Sequence, residues 1–588
     1  MSTTNSVKSL KLQNVLDPRL ECMSYAQNKL SWTVFKGTES SNWVHQQCNA
    51  YSSAGINFNF NSQGENVIID RRLYAQVQFK LTFTGTAPIG QPLINSNFDA
   101  PRAYPLASVT NSLKVTINGG SVEVPYNDAL QALLRYNNEY EDTNYDLSTT
   151  PNFLDNYQDY ADGVNAGMNP LANYQNSQYK IGRGAFTIDN ILNPVSVDGV
   201  TPIVAVITFT VVEPLLISPL LYKSQDLGAG LIGVKNLAVL FSFNAGQLNR
   251  VWSHATGNGV VLTNVLAEMG AGATSPPILL VNYLNPPLLD IGSIPNEAVY
   301  EYYKTETYTN DLNIALGSGV SQTFTNNAIQ LSTVPKAIYI YATLPQSQRT
   351  YETTDTFFRI NSISLQYLNV AGQFSSMNEY DLYQMCLKNG LKMNWNEFHG
   401  ETFNLSTGAS VPLAGAVLKI NVEDLSIPSN LASGVNENSQ LIFNLNIENV
   451  SNAPKSVSIT TVIVYDGMCT VSGGQMITQL GVISQSDVMD VRTNGEWVPY
   501  KSAMQMYGGS FWDKLKSFGK SVLSGVKSVV PFVAPIVKGL VPESRPILSA
   551  LGMGRRAGAY AGAMAGGELH MTGGKRLSRS QMRQMMDE

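Results

Sequence analysis

One pattern in this chain occurs twice. The stretch VTINGGSVEVPYNDALQALLRYNN begins at Val115, and QYLNVAGQFSSMNEYDLYQMCLKNG begins at Gln366. Each reads as strand, turn, strand and then a short amphipathic helix. The first places Asn118-Gly119 between two β-runs, the strongest short-range hairpin signal. Aligning Asn118 with Asn369 gives an offset of 251 residues, and helices are expected over 129–137 and 381–389. In the second copy Asn378 can cap the helix start and Gly390 can stop its end. Later runs echo in the same order: TFTVVEPLLISPLL then GVKNLAVLFSFN, and VLKINVEDLSIPS then QLIFNLNIENV. No single echo is decisive, but the shared order predicts two sandwiches of one fold in a single chain.

The remaining pattern agrees. LYAQVQFKLTFTG, KAIYIYATLP, RINSISLQYLNV and VSITTVIVYDG are short apolar alternations between Gly, Asn, Pro and Ser spacers. Many short strands with turn-rich spacers point to a sandwich or jelly roll, not to alternating βαβ units. All-β domains often run to roughly 200–250 residues, so the 588 residues suit two of them and a tail. The expected division is an N-terminal arm at 1–20, a first sandwich at 21–283 and a second at 284–500. A C-terminal tail fills 501–588. The sandwiches join near NYLNPPLLDIGSIPNE, and the Tyr/Asn/Asp-rich stretch 138–180 is expected to be an exposed insertion. Its acids Glu139, Glu141, Asp142 and Asp146 have no defined ligand spacing and read as a solvated loop.

Catalytic signals are missing. His45, His254, His399 and His570 stand outside HExxH and outside metal spacing of each other. GAGLIG at 228–233 satisfies GxGxxG but leads into β-like VKNLAVLFSFN rather than a helix, so it fails as a dinucleotide loop. Cys22, Cys48, Cys386 and Cys469 are far apart and read as buried thiols. MSTTNSVKSLKLQNVLDPRLE lacks the apolar core of a signal peptide. VVPFVAPIVKGLVP is too short and too broken to span a bilayer. No catalytic, metal or cofactor site is expected.

Charge is unevenly shared. Residues 501–588 carry 13 Lys/Arg against 5 Asp/Glu, a net +8 inside a chain of net −6. An acidic body with a basic tail implies different partners for the two parts. From Ser510 the tail pattern turns helical. Phe511, Trp512, Leu515, Phe518, Val522 and Val526 share one face, and Lys514, Lys516, Lys520 and Lys527 lie off it. Such a helix suits a membrane interface or a seat on an inner protein wall, and both readings stand.

The stretch DAPRAYPLASVTNSLKVTING at 99–119, with DPRLE and WTVFKG upstream, resembles the major capsid proteins of virophages and polinton-like viruses. FFRINSISLQYLNVAGQFSSMNEYDLYQMCLKNG resembles the matching region of their second half. The resemblance covers roughly residues 15–500. It implies an all-β double jelly roll, two tandem jelly-roll β-sandwiches, followed here by the basic amphipathic helical tail. It also implies a homotrimer that forms a pseudo-hexagonal capsomer in the icosahedral virion of a small double-stranded DNA virus. The implied partners are penton and minor capsid proteins, with packaged DNA or a membrane near the tail. Viruses of this neighbourhood often carry an adenovirus-like cysteine protease, whose preferred sites resemble Met/Ile/Leu-x-Gly-Gly. Here MYGG precedes Ser510, MAGG precedes Glu568 and MTGG precedes Lys575, giving expected cuts after Gly509, Gly567 and Gly574, while a fourth match, INGG before Ser121, sits in the expected hairpin and should be protected by folding. A flexible glycine linker would contain the same glycines. Two rivals remain: a cellular β-sandwich that binds or cleaves carbohydrate, and a vertex or minor capsid protein. The first needs clustered aromatics and a carboxylate pair in one cleft. The second usually has one jelly roll.

Overall fold

The computed structural model describes residues 21–489, except 27–28, 35–39, 63, 65–67, 96–97, 137–150, 152–153, 161–186, 221–229, 257–258, 270–274, 286–296, 406–407, 473, 482 and 487. The arm at 1–20 and the tail at 501–588 lie outside the described residues.

Alternating side chains build the core. The strand Tyr74–Thr86 points Ala75, Val77, Phe79, Leu81 and Phe83 inward, all at 0% exposure, and sets Gln76, Gln78, Lys80, Thr82 and Thr84 on its other face. Asn436–Glu448 does the same with Leu441, Phe443, Leu445 and Ile447.

The first sandwich is made from β1 Ser40–Gln47, β2 Gly55–Asn61, β3 Tyr74–Thr86, β4 Thr110–Ile117, β5 Gly120–Val124, β6 Ile203–Pro214, β7 Asn236–Phe243 and β8 Ile278–Asn285. The second is made from β9 Glu297–Leu316, β10 Ser321–Thr325, β11 Ala337–Thr343, β12 Arg359–Tyr367, β13 Val370–Gln373, β14 Val417–Asn421, β15 Asn436–Glu448 and β16 Lys455–Ser472. The first pairs these strands in the orders β1-β8-β3-β6 and β2-β7-β4-β5, with Thr187–Leu192 added beyond β6, Val261–Met269 paired to β3 and Ala50–Ser52 paired to β2. The second pairs them as β9-β16-β11-β14 and β10-β15-β12-β13. Each second-sandwich strand thus holds the place of the first-sandwich strand numbered eight lower, so the two topologies are the same. Successive strands mostly alternate between facing sheets, which is the jelly-roll path. Glu21–Ala26 and Lys29–Val34 pair with each other as a separate hairpin.

Among the described residues four short α-helices accompany the strands: α1 Pro105–Val109, α2 Tyr126–Leu134, α3 Glu379–Lys388 and α4 Trp395–His399. Helix α2 runs from Tyr126 to Leu134, starting and ending three residues before the expected bounds, with Pro125 extended at its N-cap. For α3, Asn378 accepts from the Asp381 amide at 3.0 Å and Asp381 reciprocates, forming a capping box, while Gly390 follows with φ +97°.

The repeat is real, but its register differs by one residue from the sequence alignment. Ile117 pairs with Gly120 around Asn118 (φ 47°) and Gly119 (φ 83°). Tyr367 pairs with Val370 around Leu368 (φ 49°) and Asn369 (φ 62°). Asn118 therefore corresponds to Leu368, and the offset is 250. A two-residue turn with both φ values positive favours Asn and Gly, so the sequence steered Asn369 into the wrong position. Leu368 tolerates the left-handed conformation while packing partly against the core.

The insertion also needs correction. Within 138–180, the described residues of 151–160 are not an exposed loop: Leu154, Asp155, Gln158 and Tyr160 are 1–4% exposed. They run between the sandwiches. The rest of that stretch, with Glu139, Glu141, Asp142 and Asp146, lies outside the described residues.

Asn118 does more than turn the chain. Its Oδ1 accepts from the Lys235 and Asn236 amides at 2.7 and 3.1 Å, and its Nδ2 donates to the Gly233 carbonyl at 2.7 Å. Asn118→Ala is expected to destabilise the protein by about 2–4 kcal/mol, through unpaired buried groups and an unfavourable φ. Asn369→Ala, on an exposed turn, should cost about 1–2 kcal/mol. Urea unfolding of the two variants checks the order.

Candidate assembly site: the joint between the sandwiches

The buried contact between the two halves contains charge. Arg102 follows the strand Asp99–Pro101, which pairs with Trp252–His254, and Arg250 precedes that partner strand. The two guanidinium groups are thereby brought together at 1% and 2% exposure. Asp155 comes from the buried crossing segment of the first half. Asp355 comes from the loop between β11 and β12 of the second half.

Arg102 is the centre of the group. Its Nη1 donates to Asp155 Oδ2 at 3.3 Å, Asp355 Oδ2 at 3.1 Å and the Tyr160 hydroxyl at 2.7 Å. Its Nε donates to the Arg250 carbonyl at 2.9 Å, and its Nη2 to the Thr353 carbonyl at 2.9 Å. Arg250 donates to Asp355 Oδ1, to the Thr350 carbonyl at 2.8 Å and to Thr353 Oγ1 at 2.9 Å. The Asp355 amide donates to Asp155 Oδ2 at 2.6 Å. Two fixed positive charges thus meet two carboxylates, one from each half.

The titration behaviour follows from that geometry. Burial opposes the charge on Arg102, but Tyr160, Asp355 and Asp155 outweigh it and its pKa is raised. Burial pushes Arg250 down to about 10, against the pull of Asp355. For Asp355, burial is overcome by Arg250 and Arg102, and its pKa falls. For Asp155, burial prevails over Arg102, and its pKa rises.

Further contacts extend the joint. The Gln158 amide donates to the Pro412 carbonyl at 3.2 Å, and its side chain donates to the Phe357 carbonyl. Thr354 Oγ1 donates to the Gln158 carbonyl at 2.6 Å, and Lys455 Nζ donates to it at 2.9 Å. Tyr136, just beyond α2, donates its hydroxyl to the Val417 carbonyl at 2.8 Å and sets its ring edge-on to Tyr339 at 5.4 Å. Lys419 lies over both rings, at 5.3 and 5.5 Å, and donates to the Asn389 carbonyl at 3.0 Å. Burial, and then the charge of Lys336, push the Lys419 pKa down to about 7.

The expected tail sites are not part of this geometry. Gly509, Ser510, Gly567, Glu568, Gly574 and Lys575, the apolar face from Phe511 to Val526 and its flanking lysines all lie outside the described residues. Of the expected buried thiols, Cys386 and Cys469 are buried, Cys48 is intermediate, and all three are free. Among the described residues, no His, Cys, Asp and Glu group is arranged to hold a metal ion. Sequence reading missed Arg102, Arg250, Asp155 and Asp355. Arg102 lay in the quoted DAPRAYP stretch, but nothing local marked its partners, which are 53 to 253 residues away.

Comparison with known proteins now decides the family. Residues 12–284 match the first domain of the Sputnik virophage major capsid protein, and residues 302–467 match the C-terminal domain of major capsid protein V20. The chain is 30% identical over 539 residues to the putative capsid protein V20 of Sputnik virophage, covering 88% of this chain and 87% of that one. The chain belongs to the virophage major capsid protein family. A chain of the cryo-EM structure of Sputnik virophage superposes with a TM-score of 0.72 at 27% identity, covering 84% of this chain and 97% of that one. The mavirus major capsid protein shares the fold, with a TM-score of 0.63 at 14% identity over 76% of this chain and 92% of that one. This capsid protein is therefore a double jelly roll of the virion, in a family whose role is structural.

Two outcomes test the joint. Removing one partner of a buried ion group strands the other, so Asp355→Ala should cost roughly 3–5 kcal/mol. Arg250→Met combined with Asp355→Leu should cost less than Asp355→Ala alone, measured by urea unfolding. For Lys419, the folded pKa of about 7 lies below the ordinary 10.5. Between these values the unfolded chain binds a proton that the folded chain does not, so stability rises with pH. The melting temperature of the native chain should therefore rise relative to Lys419→Met from pH 7 to pH 9.

Proposed function

We propose that this capsid protein builds its shell as a homotrimer. One chain holds two sandwiches of the same strand order, fixed to each other by a buried ion group. That duplication is the observation that carries the reading. A trimer of such chains presents six similar units, and six similar units can tile an icosahedral shell with near-sixfold packing. The fivefold positions go to a penton protein, and minor capsid proteins bind between capsomers. The chain performs no catalysis.

The tail supplies maturation. An adenovirus-like cysteine protease cuts after Gly509 and after Gly567 or Gly574, where paired glycines let an extended chain lie flat in a narrow groove. The basic tail faces the interior, near packaged DNA or a membrane, and phosphate neutralisation by its lysines and arginines makes that contact salt-dependent. Support comes from the sequence: the three tail Met-x-Gly-Gly sites all lie beyond residue 500, and the net +8 is in the same segment.

Negative-stain microscopy of the purified chain should show hexagonal particles of three chains. Persistent monomers would overturn the trimer reading. Mass spectrometry of mature particles should give a body ending at Gly509. Intact chains of 588 residues in infectious particles would overturn the maturation reading.

A further inference from the structure

We propose that His399 is a pH-operated latch. As a neutral ring it holds helix α4 and the strand that follows on β12, and on taking up a proton it lets them go. The latch lies in the second sandwich, outside the Arg102 group, and does not depend on how chains assemble.

The segment it holds is short and has few other anchors. Helix α4 has five residues, of which Phe398 alone is buried. It ends at Gly400 (φ +82°) and leads into the strand Glu401–Phe403, which pairs with Ser410–Pro412. The Leu413 amide donates back to the Gly400 carbonyl at 2.7 Å, and the Gly415 amide to the Glu397 carbonyl at 2.9 Å. The same segment reaches the joint between the sandwiches. Its Pro412 carbonyl accepts from the Gln158 amide at 3.2 Å, and its Ala414 carbonyl from the Phe357 amide at 2.6 Å. A shift of α4 is therefore passed to the crossing segment that carries Asp155.

The ring is fixed at both nitrogens. Nδ1 lies 2.8 and 2.9 Å from the two carboxylate oxygens of Glu379, the first residue of α3. An ionised carboxylate only accepts, so Nδ1 carries the hydrogen and Nε2 of the neutral ring offers a lone pair. That lone pair accepts from Arg359 Nη2. Arg359 opens β12, and its Nε donates to the His399 carbonyl at 2.8 Å. One arginine thus holds both the ring and the backbone at the end of α4.

A second proton on the ring is incompatible with this contact. An imidazolium donates at both nitrogens, so Nε2–H then meets a guanidinium N–H, donor against donor and cation against cation. The surrounding charge nevertheless favours the proton. Arg359 faces Glu379 at 3.6 Å, Glu401 at 3.3 Å and Glu448 at 3.3 Å, so three carboxylates against one guanidinium leave two negative charges unmatched. Trp395 adds to this, since its ring lies flat on the imidazole at 5.1 Å and 18°, and an indole face attracts a cation. At 28% exposure the His399 side chain is open to protons from solvent. Proton uptake therefore pays in charge but breaks the present geometry, and Arg359 has Glu401 and Glu448 to turn to.

The other charged groups on the packed elements have roles of their own. On α4, Glu397 accepts from the Asn394 amide at 3.0 Å, and its charge acts on the buried Arg135. On α3, Asp381 caps its own helix and Lys388 pairs with Asp424 at 2.9 Å. Glu401 also accepts from the Ser410 hydroxyl, and Glu448 from the Asn361 side-chain amide at 3.1 Å. Burial raises the Glu379 pKa, while His399 and Arg359 pull it down. Histidine is the side chain whose ordinary charge change falls between about pH 5 and 8. The latch is closed at neutral pH and opens in mild acid.

The test is hydrogen–deuterium exchange on the full chain at about pH 7.5 and about pH 5, corrected for the intrinsic pH dependence of exchange, with circular dichroism to confirm folding. In the native chain the Gly400, Leu413 and Gly415 amides should lose about tenfold in protection in acid, while those of β11 and β16 keep theirs. His399→Gln offers the same donor and acceptor but cannot take up a proton, and should stay protected at both values. Protection that is unchanged in the native chain, or lost equally in His399→Gln, overturns the proposal. Equal loss across β11 and β16 also overturns it, because the sandwich then opens as a whole. Tryptophan emission gives a readout on the native chain itself. The difference between native and Trp395→Phe emission should change over the same pH range, and a constant difference overturns the proposal.

Discussion

Arginine keeps its charge inside a protein, so the arginines buried at the centre of the joint must be met by carboxylates or left at a cost of several kcal/mol each. Here Arg102 and Arg250 are 1% and 2% exposed, and Asp155 and Asp355 meet them from opposite halves of the chain. The rest of the joint is arranged around that requirement. The crossing segment must run through the interior to deliver Asp155, the β11–β12 loop must fold back to deliver Asp355, and the backbone carbonyls of Thr350, Thr353 and Arg250 take the remaining donors. A docking angle that separated any of these charges would strand the others. The apolar contacts around them tolerate small slides, because dispersion is non-directional. The hydrogen-bonded ions do not.

A fixed angle matters for a capsid protein. A tile that flexed between its halves would present its edges at variable angles and could not repeat. The aromatic-cation packing of Tyr136, Tyr339 and Lys419 extends the same fixation to the β14 side of the joint. Burial lowers the Lys419 pKa, so the folded chain gives up that proton more readily than the unfolded chain does. The two aspartates shift in opposite directions, so their contributions to acid sensitivity partly offset each other.

The duplication explains why one sequence yields two different environments for one fold. The outward residues of strand β3, among them Gln76, Gln78, Lys80 and Thr82, are half-buried and polar. Strand β11 occupies the same place in the second sandwich and carries Tyr339 and Tyr341, sealed by the first. The alternation that marks β3 in the sequence fades in KAIYIYATLP for the same reason: a strand covered on both faces has no need of polar residues on either.

The sequence by itself determined the local and the repeated. Period-two alternation placed the strands, Asn118-Gly119 placed a hairpin, Asn378 and Gly390 bounded a helix, and the recurrence announced two sandwiches, because each of these signals acts over a few residues or by comparison of two stretches. Tertiary structure alone decided the rest. It moved the second turn to Leu368-Asn369, since strand pairing outweighs the poor left-handed preference of leucine. It turned the polar Tyr/Asn/Asp run around Asp155 from an expected surface loop into the centre of the joint. Composition reports only what a segment could expose, whereas burial of Asp155 depends on an arginine 53 residues away and a backbone amide 200 residues on, which meet only when both sandwiches have closed.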